Sequence, residues 1–499
     1  MQNHVLDYLD NIVKVCPDKV AFADDKLELT FKELYDRTNS IAMFLHNQGL
    51  YKEAVLVFME KSPKTVNTFF GVINAGCFYV PIDSEMPAAR INLIIDNVKP
   101  RALIVDEKCA AKMDKFEYDG KTYLYDDIIS ESIDELVLSN IRAKAIDTDP
   151  LYIVFTSGST GVPKGVCACH RSVLDYIEQL SETLEFNKDT VFGNQTPLYF
   201  DACLKELYPT LKFGATTYLI PKSMFMFPIK LVEFLNEKKI NTVCWVVSAL
   251  TFISSTGTFD KVKPEHLHTI AFGSEVFPIK QFNLWKNTLP EAKFTNLYGP
   301  TEVTGMCCFY HADRLFEEGE SIPIGRPFKN TEILLLDDDN KLANEGEICI
   351  RGTSVTLGYF NNPEKTAESF VQNPLNSAYP EIIYRTGDIA KYNDKGELLF
   401  VSRKDYQIKH MGHRIELGEI EANVNLVEGI KDCACVYNKE SEKIVLFYVG
   451  EIDKASLTKE LRGTLPRYML PNEIIILEAM PHTPNGKIDR NTLKEKANG

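Results

Sequence analysis

Residues 155–165 read FTSGSTGVPKG, a run of glycines, serines and threonines around one lysine, Lys164. Glycines let backbone N–H groups approach an anion, and hydroxyls add further donors, so the stretch favours phosphate. It is not the G-x-x-x-x-G-K-[ST] loop, because Pro163 precedes the lysine and Gly165 follows it. A second group is 296-NLYGPTE-302. Tyr298 offers a flat face for a base, and Glu302 a hard oxygen of the kind Mg²⁺ takes beside substrate phosphates. In 384-YRTGDIA-390, the Asp388 carboxylate has two oxygens able to accept from ribose hydroxyls. In 481-PHTPNGKIDR-490, the turn Pro484-Asn485-Gly486 presents Lys487 at a loop tip. Taken singly, each has a plain alternative: a flexible turn, a buried tyrosine, a turn aspartate, a solvated lysine.

The elements that must hold these groups follow from the apolar pattern. The run 151-LYIVF-155 predicts a buried strand leading into the first loop. Strand-like 54-AVLVFME-60 and 102-ALIVDE-107 flank helix-like 64-KTVNTFFGVINAG-76, which predicts α/β layers with mostly parallel sheets. Beyond residue 400 the elements shorten: a helix at 417–427, strands near 433–438 and 443–450, and a helix near 455–465 predict a small α+β unit. A chain of 499 residues exceeds one core, and 44% hydrophobic with 25% charged residues is ordinary globular composition. A net charge of −15 argues against a nucleic-acid partner. No run is long enough to span a membrane, and the acidic N-terminal stretch does not read as a signal peptide. Twelve scattered cysteines suit reduced thiols in the cytoplasm. The cluster Cys167, Cys169 and His170 alternates along an extended segment without a second pair at zinc spacing, so packing is preferred over metal.

These motifs, with 73-INAGCFYVPID-83, 346-GEICIRGTSVTLGYFNNPEKT-366 and 402-SRKDYQIKHMGHRIELGEIE-421, resemble in order those of the adenylate-forming enzymes. Within that superfamily the chain resembles amino-acid adenylation domains of nonribosomal peptide synthetases, and stand-alone D-alanine–carrier protein ligases. The resemblance implies a large lobe of layered α/β subdomains at residues 1–404. A small mobile α+β lobe at 405–499 would follow, hinged at Asp405. It implies two steps: ATP and a carboxylate give an acyl-adenylate and pyrophosphate, then a thiol takes the acyl group. By the same resemblance Lys487 is the adenylation lysine and Glu302 the Mg²⁺ ligand. Thr156, Ser157, Gly158, Ser159, Thr160 and Lys164 form the phosphate loop. Asn296, Tyr298, Gly299, Thr301, Asp388 and Arg403 would bind the nucleotide, Asn296 and Tyr298 at the adenine and Asp388 and Arg403 at the ribose, and Gly412 would line the path of the incoming phosphopantetheine arm. ATP and Mg²⁺ are the implied cofactors, and a phosphopantetheine-bearing carrier protein acting in trans the implied partner.

The substrate is the open question. Asp201 matches the aspartate that pairs with an amino acid's α-ammonium; read from its surroundings alone, it could cap a helix beginning at residue 202. Phe200, Ala202, Lys205, Trp245, Ile270, Phe272, Gly273, Leu297, Gly305 and Met306 align with the pocket wall, and the bulk of several predicts a small amino acid. Lys205 lies one helical turn after Asp201. Facing inward it would pair with an acidic side chain; facing outward it is a solvated lysine, and a small neutral residue fits. The stretch 271-AFGSEVFP-278 lacks the cysteine expected of a D-alanine ligase. Two other readings remain at this level: an acyl-CoA ligase for a non-amino acid, against which Asp201 argues, and a non-catalytic nucleotide-binding module, against which Lys487 and Glu302 argue.

Overall fold

The computed structural model describes residues 2–158, 161–438, 440–482 and 488–498. Two mostly parallel sheets form its centre. One has the strand order Lys121–Leu124, Ala102–Val105, Ala54–Phe58, Phe78–Ile82, Pro150–Thr156, Lys164–Cys169, with only the last pair antiparallel. The other runs from Arg326–Pro327 through Cys308–His311, Lys293–Tyr298, Thr269–Gly273, Thr242–Val246, Val191–Asn194, Thr216–Leu219 and Val20–Ala23 to Glu28–Thr30. Its interior pairs are parallel and its edges antiparallel. Strands such as Ala54–Phe58 are buried at every position, as a sheet covered on both faces requires.

Helices Phe31–Asn47, Pro63–Asn74, His170–Leu184 and Leu204–Phe213 fill the space between the two sheets and share one apolar cluster with both. Their starts are written locally. Thr30 and Glu33 make a capping box, and Ser62 caps a helix with Pro63 in its first turn. Helices Pro228–Glu237, Val247–Ser255 and Ile279–Thr288 cover the far face of the longer sheet, and Ala88–Val98 covers the shorter one. The architecture is therefore five layers, α-β-α-β-α.

The expectation of mostly parallel sheets fails between residues 331 and 403. There, five strands form an antiparallel sheet. The reason is local: in this stretch one short helix, Pro363–Ser369, interrupts the strands, and hairpin connections can only join antiparallel neighbours. The small unit beyond it follows the sequence closely. Helices Leu417–Asn425 and Lys454–Thr464 flank strands Ile430–Asn438 and Lys443–Gly450, which pair antiparallel. The unit opens with a hairpin, Gln407–His410 and His413–Glu416, whose two turn residues, Met411 and Gly412, both have positive φ (52° and 79°). That geometry suits the twist of a tight hairpin. Among the described residues, no helix is long and apolar enough to cross a membrane.

Candidate active site

Three edges meet at the site: the ends of the two parallel sheets and the 407–416 hairpin. Strands Pro150–Thr156 and Lys164–Cys169 pair antiparallel with Thr156 opposite Lys164, so the glycine-rich stretch is their connecting loop. A Cβ on Gly158 would stand 2.0 Å from the Val162 carbonyl oxygen, so only glycine allows this turn. The Gly158 N–H donates to Glu419 Oε2 at 3.0 Å, and the Ser157 hydroxyl to the Arg414 carbonyl at 3.0 Å. Lys164 Nζ lies 5.3 Å over the Tyr359 ring and 3.8 Å from Glu416 Oε1. Burial pushes its ammonium down, with Arg414 adding to the effect.

Glu302 sits in the short turn Thr301–Val303 after strand Lys293–Tyr298 and is fully buried. The Tyr359 hydroxyl donates to Oε1 at 2.8 Å and Arg414 Nη1 to Oε2 at 2.7 Å. Burial alone would push this carboxyl up. The charges of Arg414 and Lys164, with the Tyr359 hydrogen bond, outweigh burial and hold it down at about 2. An ionised oxygen donor beside the glycine-rich loop fits a divalent cation by donor chemistry.

Tyr298 and Asp388 are in contact. The phenol donates to Asp388 Oδ2 at 2.5 Å, and Arg403 Nη1 donates to Oδ1 at 2.6 Å. Arg403 also grips Asp405 through two bonds of 2.7 Å, tying the Asp388 site to the start of the small unit. Lys409 Nζ lies 5.5 Å over the Tyr298 ring, and burial pushes that ammonium down. The Asn296 amide is directed elsewhere and donates to the Pro323 carbonyl at 2.8 Å. Gly299 lies against Gly305, which brings Thr301 and Met306 back beside the strand end.

Asp201 begins a 3₁₀ turn, Asp201–Cys203, that feeds helix Leu204–Phe213. Cys203, not Asp201, is the residue preceding that helix, so the capping alternative does not hold. Burial pushes the Asp201 carboxyl up, while the Thr301 hydroxyl and the Lys205 charge pull it the other way. Lys205 is 3% exposed, which excludes the outward, solvated alternative. Its charge acts on Asp201, Glu206, Cys203 and Cys244, yet it forms an ion pair with neither of the two carboxylates. Buried polar atoms without a partner among the described residues gather nearby: Glu206 Oε1, Tyr152 OH and Tyr176 OH. Phe200 is half-buried, edge-on to His413 at 5.3 Å, and Ala202 is half-buried beside Asp201.

Strand parity corrects part of the expected wall. Side chains alternate between sheet faces. Cys244, Ala271, Leu297 and Met306 lie in the cluster shared with the Asp201 helix, whereas Trp245, Ile270 and Phe272 lie in the cluster on the opposite face. Trp245 donates to the Gly193 carbonyl and packs on Phe225 there. Those three therefore pack on the face away from the Asp201 helix, and part of the bulk that predicted a small pocket belongs to that layer. Gly273 pairs with Leu297 in register and shares its face.

Gly412 meets the same strand ends. Its N–H donates to Glu275 Oε1 at 2.7 Å, and a Cβ there would lie 2.8 Å from Val246 Cγ1. Side chains other than glycine's would collide at this approach. Ser159, Thr160 and Lys487 lie outside the described residues.

Comparison with known proteins agrees with this geometry. Residues 9–360 match the model of the AMP-binding enzymes, and 419–487 that of the AMP-binding enzyme C-terminal domain. The chain belongs to the AMP-binding enzyme family. It is 34% identical to zwittermicin A synthase ZmaJ of Bacillus cereus over 96% of this chain and 92% of that protein. It is 33% identical to gramicidin S synthase 2 of Brevibacillus brevis over 96% of this chain, but spans only 11% of that protein's length. These relatives place it with the nonribosomal peptide synthetase adenylation domains. Its fold matches an artificially fused adenylation–PCP di-domain, NpsA-ThdA, from Klebsiella oxytoca, at TM-score 0.81 and 22% identity, covering 95% of this chain and 93% of that one.

Several residues of this AMP-binding enzyme's site went unassigned in the sequence. Tyr359, Arg414, Glu416 and Glu419 all stand inside motifs read there, but only the fold brings Tyr359 and Arg414 onto Glu302. Cys244 carried no sequence signal beyond its neighbour Trp245; one residue of strand phase separates the two faces. Cys167, Cys169 and His170 are buried in the strand and the helix that follows it. There His170 Nδ1 accepts from the Val5 N–H at 3.3 Å.

Proposed function

We propose that this adenylate-forming enzyme activates an amino acid as its aminoacyl-AMP and passes the aminoacyl group to the phosphopantetheine thiol of a carrier protein. A carboxylate oxygen of the amino acid attacks the α-phosphorus of ATP, and pyrophosphate leaves. The thiol, having lost its proton, then attacks the carbonyl carbon, and AMP leaves. The observation that carries the reading is Asp201, a buried carboxylate that has no ion-pair partner among the described residues. A buried charge is costly without a partner, and the α-ammonium of an amino acid would be one. A fatty or aryl acid would not.

In this reading Thr156, Ser157, Gly158, Ser159, Thr160 and Lys164 hold the β- and γ-phosphates. Tyr298, with the strand end around Gly299 and Thr301, holds the base; Asp388 and Arg403 hold the ribose. Glu302 would hold Mg²⁺, whose charge offsets that building up on the phosphates. Lys487 serves the α-phosphate during adenylation. The 405–499 lobe turns about Asp405, and Gly412 leaves room for the pantetheine arm. Lys205, buried and outside any ion pair with Asp201 or Glu206, favours a substrate with an acidic side chain, aspartate or glutamate. Free thiols and the demand for ATP suit the cytoplasm.

The test is pyrophosphate release with ATP, Mg²⁺ and each L- and D-amino acid in turn, with hydroxylamine present to drive turnover. An acidic winner is expected, and Lys487→Ala should abolish the signal. A neutral winner would remove Lys205 from the argument; silence across the panel would remove amino acids altogether.

A further inference from the structure

Lys205 has a second charged neighbourhood besides Asp201. Lys61 stands three residues past strand Ala54–Phe58 of the shorter sheet and reaches across to the longer one. Its ammonium donates to the carbonyls of Asn194 and Gln195 at 3.0 Å and of Ile220 at 3.2 Å, at the ends of two paired strands. The Asn194 amide donates in turn to Glu206 Oε2 at 3.3 Å. Asn194 and Glu206 are both fully buried, and Glu206 follows Lys205 in the helix. Asn194 thus ties the Lys61 ammonium to the Glu206 carboxyl. Burial pushes that carboxyl up to about 7, against the Lys205 charge, the Asn194 hydrogen bond and the Lys61 charge. Burial likewise pulls the Lys61 ammonium down to about 7, against the charge of Glu206. Together the two carry no net charge whichever of them holds the proton.

We propose that Lys61 is a specificity-determining positioning residue: through Asn194 it occupies Glu206, and so leaves Lys205 for a carboxylate on the substrate's side chain. This rests on the adenylation reading above and extends it to the residues that keep Lys205 available. Charge balance decides it, because an unpartnered charge in a buried place is costly. The chain supplies two cations here, Lys61 and Lys205, and two carboxylates, Asp201 and Glu206. An acidic amino acid adds an ammonium for Asp201 and a carboxylate for Lys205, and the balance is kept. A neutral one adds the ammonium alone and leaves Lys205 in surplus. Without Lys61, Glu206 is the anion short of a cation, and Lys205, whose charge already acts on it, is at hand. The same space offers a further donor. The Tyr176 hydroxyl is buried, feels the charges of Asp201 and Glu206, and has no partner among the described residues. Its oxygen lies 3.3 Å from where a Cβ on Gly305 would stand. A side-chain carboxylate held by Lys205 accepts from it as well.

The experiment is pyrophosphate release with hydroxylamine, on the best acidic and the best neutral amino acid, for the wild-type chain, Lys61→Met, Glu206→Gln, the double variant and Lys61→Arg. Lys61→Met should lower kcat/KM for the acidic amino acid about thirtyfold, through KM, and leave the neutral one little changed. The double variant also removes the carboxylate that captures Lys205, so it should restore the acidic-to-neutral ratio. Lys61→Arg keeps the charge and should keep the ratio. Glu206→Gln alone should raise the ratio about threefold, because one anion near the substrate's carboxylate is gone. That variant leaves Lys61 in place, so it decides the matter even where Lys61→Met does not fold. Equal losses on both substrates in Lys61→Met, a double variant that restores nothing, or an unchanged ratio in Glu206→Gln would each reduce Lys61 to a stitch between the sheets and overturn the inference. A wild-type chain that prefers the neutral amino acid would overturn it together with the role of Lys205, and leave that of Asp201. Silence of the wild type with every amino acid would overturn the adenylation reading itself.

Discussion

Glu302 and Asp201 are both buried carboxylates near the same strand ends, and the chain treats them oppositely. Glu302 has Arg414, Lys164 and Tyr359 about it and is held ionised, at about 2. Asp201 has the Thr301 hydroxyl and the Lys205 charge, yet burial outweighs both and pushes its carboxyl up. One has its ion pair within the protein; the other has none among the described residues. An ion pair finished internally serves architecture or a competitor for the same place, whereas an unfinished one is where a ligand's charge is worth most.

The sharpest way to break that contrast is Asp201→Asn. If the missing cation is the substrate's ammonium, the variant should lose about 4 kcal/mol of amino-acid-dependent activation, roughly a thousandfold in kcat/KM for pyrophosphate release. Its thermal stability should hold or rise, since an unpaired buried charge has been removed. An Asp201→Asn protein that activates amino acids normally would end the comparison. Glu302→Gln should behave differently. It leaves Arg414 and Lys164 facing a neutral amide, so about 3 kcal/mol of stability should go as well, together with about a hundredfold in adenylation rate. Melting curves and pyrophosphate release on the same preparations separate the two patterns.

Lys205→Ala sharpens the Asp201 side. Its effect should be smaller, about tenfold, and confined to preference: acidic amino acids lose and neutral ones do not. Equal loss on all substrates would mean that Lys205 supports Asp201 electrostatically and does not read the side chain.

How much of this was legible before the fold was known depends on the range of each interaction. The parallel layers and the small unit could be read because apolar runs of 5–8 residues and helix caps are local signals. The glycine-rich loop, Glu302, Asp388 and Asp201 could be singled out because each stands in a distinctive short motif. The face on which Trp245, Ile270 and Phe272 pack could not be read, because strand phase is set by which face packs on the central helices, and a one-residue slip reverses it. Arg414 on Glu302 and Glu419 on Gly158 span more than a hundred residues of sequence. No local pattern encodes such a pairing. Only the docking of one lobe's hairpin on the other lobe's loop produces it.

The smallest expected effect is in the pH dependence, and its sign follows from the direction of the Asp201 shift. A carboxyl raised above its usual 3.8 on folding binds more protons in the folded chain than in the unfolded one. Its contribution to stability is therefore full below 3.8 and is lost as pH rises through the folded value. Binding an ammonium requires the ionised form, so amino-acid affinity should rise through the same window while the free protein loses stability. The substrate-induced gain in melting temperature should thus grow as pH increases from about 4, then level off once Asp201 is fully ionised. Asp201→Asn should remove the slope. Glu302, shifted the other way, would give a free-protein stability that rises with pH from about 2 to 4.5. A substrate-induced gain that is flat with pH in the wild type would mean that Asp201 is ionised without its ligand, and that its partner lies within the chain after all.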